Sequence, residues 1–287
     1  MCSGVLLSSQ WVLTVAHCFI RAGDFHRWDV VIGATDLTQP GPEAKVRHIQ
    51  RILAHQHYDA ATARNDIALL ELSQPVECSD YIQLGCVPDA ALRVSELRSC
   101  YIAGWNFATA GDVVLQEAKV HLMDMELCNS SPWYAGAVHP ENLCAGYPQG
   151  SIDTCQGDSG GPLICKDNRA DFFWLVGMSS WGRGCDKARH PGIYTSTQHF
   201  YNWILLQTGL SPAERPTPAP EPVVTTTPEQ HQRPATKPDM GLSPKHSQRP
   251  ASTTSASSVP TAFPLLFLVQ FLNLLQEFLH FLKNRKA

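Results

Sequence analysis

The chain has 287 residues, 44% of them hydrophobic and 17% charged, with a net charge of -4 at neutral pH. That size holds one large domain or two small ones, and the composition supports a packed core. The charge excludes the broad basic footprint of a nucleic-acid binder, so no nucleic-acid partner is expected. Ten cysteines without CxxC pairs or Cys/His zinc spacing exclude a metal framework and point to disulfides in an exported protein; no cofactor is implied.

Export conflicts with Met1-Cys2-Ser3-Gly4-Val5, which carries neither a basic n-region nor a long apolar h-region. Either a signal lies upstream of a truncated chain or the product stays in the cytosol; the cysteine content favours the first. Val5-Leu6-Leu7, Ser8-Ser9-Gln10 and Trp11-Val12-Leu13-Thr14 read as strand, turn and strand, leading to His17-Cys18. Val30-Val31-Ile32, Val46-Arg47-His48-Ile49, Ile52-Leu53-Ala54 and Ile67 to Leu72 are short β-rich runs, the first pair broken by Pro40-Gly41-Pro42. Asn65-Asp66 stands at the entrance of the last, where an apolar strand would bury the carboxylate. His48, His55 and His57 have no metal-site spacing and read as surface residues.

Tyr101-Ile102-Ala103-Gly104-Trp105, Val120 to Met123, Phe172 to Met178 and Ile193-Tyr194-Thr195 continue the strand pattern. Residues 198–208, with Phe200, Trp203 and Ile204 at helical spacing, predict a helix stopped by Gly209. Many short strands with regular turns mean an all-β fold, a sandwich or barrel, over residues 1–209. Residues 210–262 form a Pro/Ser/Thr-rich linker, since residues 211–264 hold 12 of the 21 prolines; such a segment buries too little apolar surface to order itself. Residues 263–287 turn apolar again with a narrow polar stripe at Gln270, Asn273, Glu277 and His280. This predicts an amphipathic helix in peripheral contact with a membrane or with the protein itself. A lipid-anchor signal is the alternative, against which the charged final residues argue. Asn129-Ser130-Ser131 is an acceptor sequence for glycosylation at Asn129.

The chemistry centres on Asp153-Thr154-Cys155-Gln156-Gly157-Asp158-Ser159-Gly160-Gly161-Pro162. Glycines permit a tight turn that exposes the Ser159 hydroxyl and lets backbone N–H groups converge beside it, as an oxyanion hole requires. A serine needs a base and an orienting acid. His17 and Asp66 are available at separations of 49 and 93 residues along the chain (17 to 66, 66 to 159), so only a fold could unite them.

His-Asp-Ser order on an all-β chain is that of the chymotrypsin/trypsin-like serine proteases. Leu13-Thr14-Val15-Ala16-His17-Cys18, Asn65-Asp66-Ile67-Ala68-Leu69-Leu70 and Gly157 to Pro162 closely resemble that family's three catalytic motifs, and the resemblance runs over residues 2–209. It implies two packed six-stranded antiparallel β-barrels with a C-terminal helix, here with the first strand missing and a disordered Pro-rich tail. It also implies an acyl-enzyme mechanism, with Ser159 as nucleophile, His17 as base, Asp66 as orienting acid and the N–H groups of Gly157 and Ser159 as oxyanion hole. Asp153 matches the floor of the family's specificity pocket and selects Arg or Lys before the cleaved bond. Gly182 and Gly192 match the pocket walls, and Ser180-Trp181-Gly182 would pair with an extended protein substrate. Asp158 matches the partner of an activating N-terminal ammonium, for which residues 1–287 hold no source.

The same resemblance implies disulfides Cys2–Cys18, Cys100–Cys165, Cys128–Cys144 and Cys155–Cys185. Cys78 and Cys86 remain, either as tethers to a separate light chain or bonded to each other. The two tethers, the Cys128 to Ser131 and Asn142 to Pro148 strings and the Pro-rich tail resemble the acrosins, the acrosomal branch of the family. That implies the secretory pathway, an acrosomal or extracellular location and a part in fertilisation through egg-coat proteolysis. The alternative is a non-catalytic, zymogen-like binding or adhesion protein.

Overall fold

The computed structural model describes residues 1–20, 28–105, 114–150, 159–184, 187–211 and 274–278, the last as backbone only. Alternation of apolar side chains dictates most of what forms. Strands β1 (Cys2–Leu6), β2 (Trp11–Thr14), β3 (Asp29–Ile32), β4 (Lys45–Ala54), β5 (Ala68–Leu72) and β12 (Leu274–Phe278) close one antiparallel barrel in the order β1-β12-β3-β4-β5-β2. Strands β6 (Cys100–Gly104), β7 (Gln116–Met123), β8 (Asn142–Gly146), β9 (Pro162–Lys166), β10 (Phe173–Trp181) and β11 (Gly192–Ser196) close a second in the order β10-β11-β8-β7-β6-β9. Mostly β structure in two barrels is the expected architecture.

Three local departures have physical causes. The runs around Val46 and Ile52 are one strand, β4, whose register slips between Ile49 and Arg51. A bulge inserts the odd residue and bends the strand without ending it. Pro162-Leu163-Ile164-Cys165, after the serine turn, opens β9 with four buried residues and is therefore apolar without alternation, and the exposed Lys166 ends the strand. The third departure is the apolar segment expected to be a helix over 263–287. Residues 274–278 form β12 instead, pairing antiparallel with β1 (Gly4↔Leu275) and with β3 (Glu277↔Val30). Two flanking strand edges satisfy its backbone groups on both sides, and that non-local pairing overrides a local helical period. β12 thus supplies the sixth strand of a barrel expected to be one strand short.

The core has three main parts. Leu6, Val30, Ile32 and Leu70 fill the first barrel, and Ile102, Val120, Leu163 and Val176 fill the second. The third lies in the seam between the barrels, where Val5, Leu13 and Ile67 meet Trp105, Ile164 and Met178. Fully burying such a side chain stabilises the fold by ~1.5–3 kcal/mol, so the seam fastens the barrels face to face. A short helix, α1 (Met125–Cys128), precedes β8, and helix α2 (Tyr201–Thr208) docks at the seam through Phe200 and Ile204 and ends at Gly209, whose φ of 67° is the left-handed cap expected of glycine.

Candidate active site

His17 leaves β2 on a short 3-10 turn, Ala16–Phe19, and the neighbouring Cys18 is bonded to Cys2 at the start of β1. The hairpin and its disulfide fix the loop that carries the imidazole. Asp66 lies at the entrance of β5 with its side chain fully buried, while the His17 side chain is 29% exposed. A buried carboxylate must be compensated. Its Oδ1 accepts the His17 main-chain N–H at 2.8 Å, and its Oδ2 accepts His17 Nδ1–H at 2.7 Å. The Ser180 hydroxyl donates to the same Oδ2 at 2.5 Å. An ionised carboxylate can only accept, so the proton of neutral His17 resides on Nδ1 and Nε2 is left as a base. The Asp66 main-chain carbonyl accepts the Thr195 hydroxyl of β11 at 2.8 Å. Tyr58, nearby, is pushed up to about 12 by burial, reinforced by the charges of Asp66 and Asp59.

Ser159 begins the turn into β9. Its carbonyl accepts the Ser3 N–H of β1 at 2.8 Å, and Gly160 N–H donates to Ser179 of β10 at 2.8 Å. Ser3 adjoins the disulfide beside His17, and Ser179 adjoins Ser180 on Asp66. The backbone at Ser159 is therefore held between the two elements that also hold the base and the acid. Gly160 has φ +80°, and a Cβ there would overlap the Ser3 carbonyl and the Thr14 hydroxyl. Only glycine fits. The Thr14 hydroxyl donates to that same Ser3 carbonyl at 2.7 Å.

Of the expected pocket residues, Ser180 and Trp181 end β10, with Trp181 edge-on to Tyr134 at 5.2 Å. Gly182 follows, and a Cβ on it would meet nothing within 4 Å, so a wall of open space faces it. Gly192 is buried at the start of β11. Asp153, Gly157 and Asp158, and the Cys155–Cys185 pair, lie outside the described residues. The Cys2–Cys18, Cys100–Cys165 and Cys128–Cys144 bonds are present. Cys78 is exposed and Cys86 half-buried, each unbonded, so they do not bridge to one another; burial pushes the Cys86 thiol up. The Asn129 amide exchanges two 3.0 Å hydrogen bonds with the Val138 backbone, so a glycan on Nδ2 would have to share that atom.

Sequence patterns missed three contributors. The Ser180 hydroxyl and Thr195 carry no local motif, because their role depends on two strands meeting Asp66. Glu141, just before β8, is buried and accepts hydrogen bonds from the Asp66 turn. A charged residue beside an otherwise apolar strand was the only available signal. His55 is half-buried rather than a free surface residue, and packs on Phe200 and Trp203 at 5.2 Å each.

A histidine locked by a buried carboxylate, and a serine on a glycine turn whose backbone is held by the strands that flank that pair, define at the meeting of two β-barrels a serine hydrolase of the double-barrel class. Residues 1–204 match the family model described as Trypsin, and the chain belongs to that family. It is 37% identical over 232 residues to Transmembrane protease serine 9 of Rattus norvegicus, covering 79% of this chain and 22% of that protein. It is 38% identical over 212 residues to Transmembrane protease serine 11B of Homo sapiens, covering 73% of this chain and 50% of that protein. The chain thus spans half or less of the length of these curated relatives. Among the described residues no helix is long and apolar enough to cross a membrane.

Proposed function

We propose that the chain is a serine endopeptidase that cleaves protein substrates after Arg or Lys. The observation that carries it is the fully buried Asp66 carboxylate bonded twice to His17 and once to Ser180. That arrangement leaves Nε2 free to deprotonate Ser159. Ser159 Oγ attacks the peptide carbonyl, and His17 takes its proton and returns it to the leaving amine. Water then releases the acyl group through the same base. Gly157 and Ser159 N–H groups are assigned the oxyanion, and Asp153 the basic side chain of the substrate, with Gly182 leaving space for it. Asp158 is assigned the ammonium that locks the serine turn on activation, because an unpaired charge there would be costly to bury.

An acrosomal role on the egg coat rests on the likeness of the Cys128 to Ser131 and Asn142 to Pro148 strings to the acrosins. The half-buried Cys86 and exposed Cys78, both unbonded, suit tethers to a light chain. An extracellular location and glycosylation at Asn129 belong to the same reading. The His17–Asp66 geometry favours catalysis over a non-catalytic binding shell.

The test is hydrolysis of a peptide-amide series by the activated full chain. Arg and Lys substrates are expected to be cut in strong preference to Phe and Glu, and Ser159→Ala is expected to abolish this. Cleavage persisting in Ser159→Ala would overturn the assignment.

A further inference from the structure

We propose that Glu141 is a positioning residue: from the second barrel, its buried carboxylate holds the turn that presents Asp66 and thereby sets the basicity of His17. The proposal deepens the protease reading and rests on it.

Glu141 is 3% exposed. Its main-chain carbonyl accepts the Ser196 N–H at 2.9 Å, which ties it to the end of β11. Its Oε1 crosses the seam and accepts from Arg64 Nε at 3.3 Å and from the Asn65 N–H at 3.4 Å. Arg64 is about half exposed, so its guanidinium closes over Glu141 from the solvent side. Burial alone would push the Glu141 carboxyl up, but its own N–H, the Arg64 bond and charge, and the Asn65 N–H together hold it below the usual glutamate range. It is therefore an anion at working pH and a strong acceptor.

The held segment needs such a restraint. Ala63 and Asn65 have φ of 55° and 53°, a left-handed conformation that asparagine tolerates and alanine resists. Asn65 Nδ2 donates to the His57 carbonyl at 2.8 Å, and Asp59 N–H donates to the Arg64 carbonyl at 3.0 Å. Across the seam, His139 Nε2 lies 3.3 Å from the Thr62 carbonyl. The second barrel thus grips Asp66 on successive residues, Glu141 at the Asn65 N–H and Thr195 at the Asp66 carbonyl. The Asp66 to His17 bond belongs wholly to the first barrel. Its alignment against Ser159 and Ser180 depends on contacts that cross over, and at the Asn65 N–H the crossing acceptor is the Glu141 carboxylate. Releasing Asn65 lets the turn relax, lengthens the carboxylate–imidazole bond and lowers the affinity of His17 for a proton. Gly182 and Gly192, assigned to the specificity pocket at the end of β10 and the start of β11, keep their place.

The experiment compares parent, Glu141→Gln and Glu141→Ala after active-site titration, so that misfolded protein is not counted. Gln keeps an acceptor for Asn65 and loses the charge facing Arg64; Ala loses both. Expected are a kcat lower by roughly threefold in Gln and roughly tenfold in Ala, with KM within about twofold and the acid limb of kcat/KM displaced to lower pH by up to ~1 unit. A second arm needs no turnover. In a Ser159→Ala background, the downfield His17 Nδ1 proton is followed by NMR against pH, and its midpoint should fall in the same order. If Gln and Ala lower only the melting temperature while acid limb and Nδ1 proton stay as in the parent, the proposal is overturned. A parent that cleaves nothing refutes the protease reading instead, and the NMR arm still decides the role of Glu141.

Discussion

At the scale of single residues, the acid of the site is defined by how many donors reach it. Asp66 has no access to water, and its two oxygens are shared among His17 N–H, His17 Nδ1–H and the Ser180 hydroxyl. The Ser180 bond is the one contributed by the second barrel. Its loss leaves a buried charge short of one donor, and a hydrogen bond to a charged group is worth ~1.5–3 kcal/mol. Ser180→Ala is therefore expected to lower kcat by roughly 10- to 100-fold if that stabilisation acts on the imidazolium transition state. KM should stay within about twofold, because the main chain assigned to pair with substrate is unchanged. Steady-state kinetics on titrated enzyme separate the two. A rise in KM at constant kcat would show that Ser180 serves binding alone. Ser180 was legible in the sequence as substrate backbone, from its place before Trp181-Gly182. Its hydroxyl's duty to Asp66, 114 residues away, was not, because no local spacing encodes a contact between strands of different barrels.

At the scale of elements, α2 meets the first barrel through His55 at the end of β4. The imidazole lies against Phe200 and Trp203, and burial holds its pKa below the ordinary value of 6.5, with His57 and His199 adding to the effect. The unfolded chain therefore binds a proton that the folded chain resists. Stability from this contact is present above pH 6.5 and is lost as pH falls through the lower folded value. The parent is expected to lose melting temperature as pH falls below the ordinary histidine value of 6.5, and His55→Phe, which keeps the aromatic packing without the charge, should flatten that part of the profile. Calorimetry across the range checks it; an unchanged slope in His55→Phe would assign the pH dependence elsewhere. Elements were legible to the degree that they bury one face. β1, β2, β3 and β5 follow their apolar runs, and Gly209 stops α2 as a left-handed cap should. His55 was not legible, since nothing near it announces that a helix some 145 residues on will cover it. Nor was β12, whose sequence has a helical stripe and whose strand state depends on the two edges of β1 and β3.

At the scale of the molecule, the site exists only while the barrels stay in register across the seam. Among the described residues no disulfide joins the two barrels: Cys2–Cys18 lies in the first, and Cys100–Cys165 and Cys128–Cys144 in the second. The coupling is carried by packing and by a few crossing hydrogen bonds. Trp105, at the end of β6, is fully buried in the seam and its Nε1–H donates to the Thr35 carbonyl of the first barrel at 2.9 Å. Leu115 N–H donates to the same carbonyl at 2.8 Å, so removing the indole does not orphan the acceptor. Trp105→Phe should then cost the net bond and a small cavity, about 2 kcal/mol together. For a domain of 150–250 residues that corresponds to a melting temperature lower by roughly 4–8 °C. The seam is as apolar as either barrel interior, so the barrels should unfold together, in one calorimetric transition that moves as a whole in the variant. Two transitions in the parent, or a Trp105→Phe effect confined to one, would mean that each barrel is stable alone. The alignment of His17 and Asp66 with Ser159 would then rest on Ser3, Thr195 and Glu141 without support from the seam.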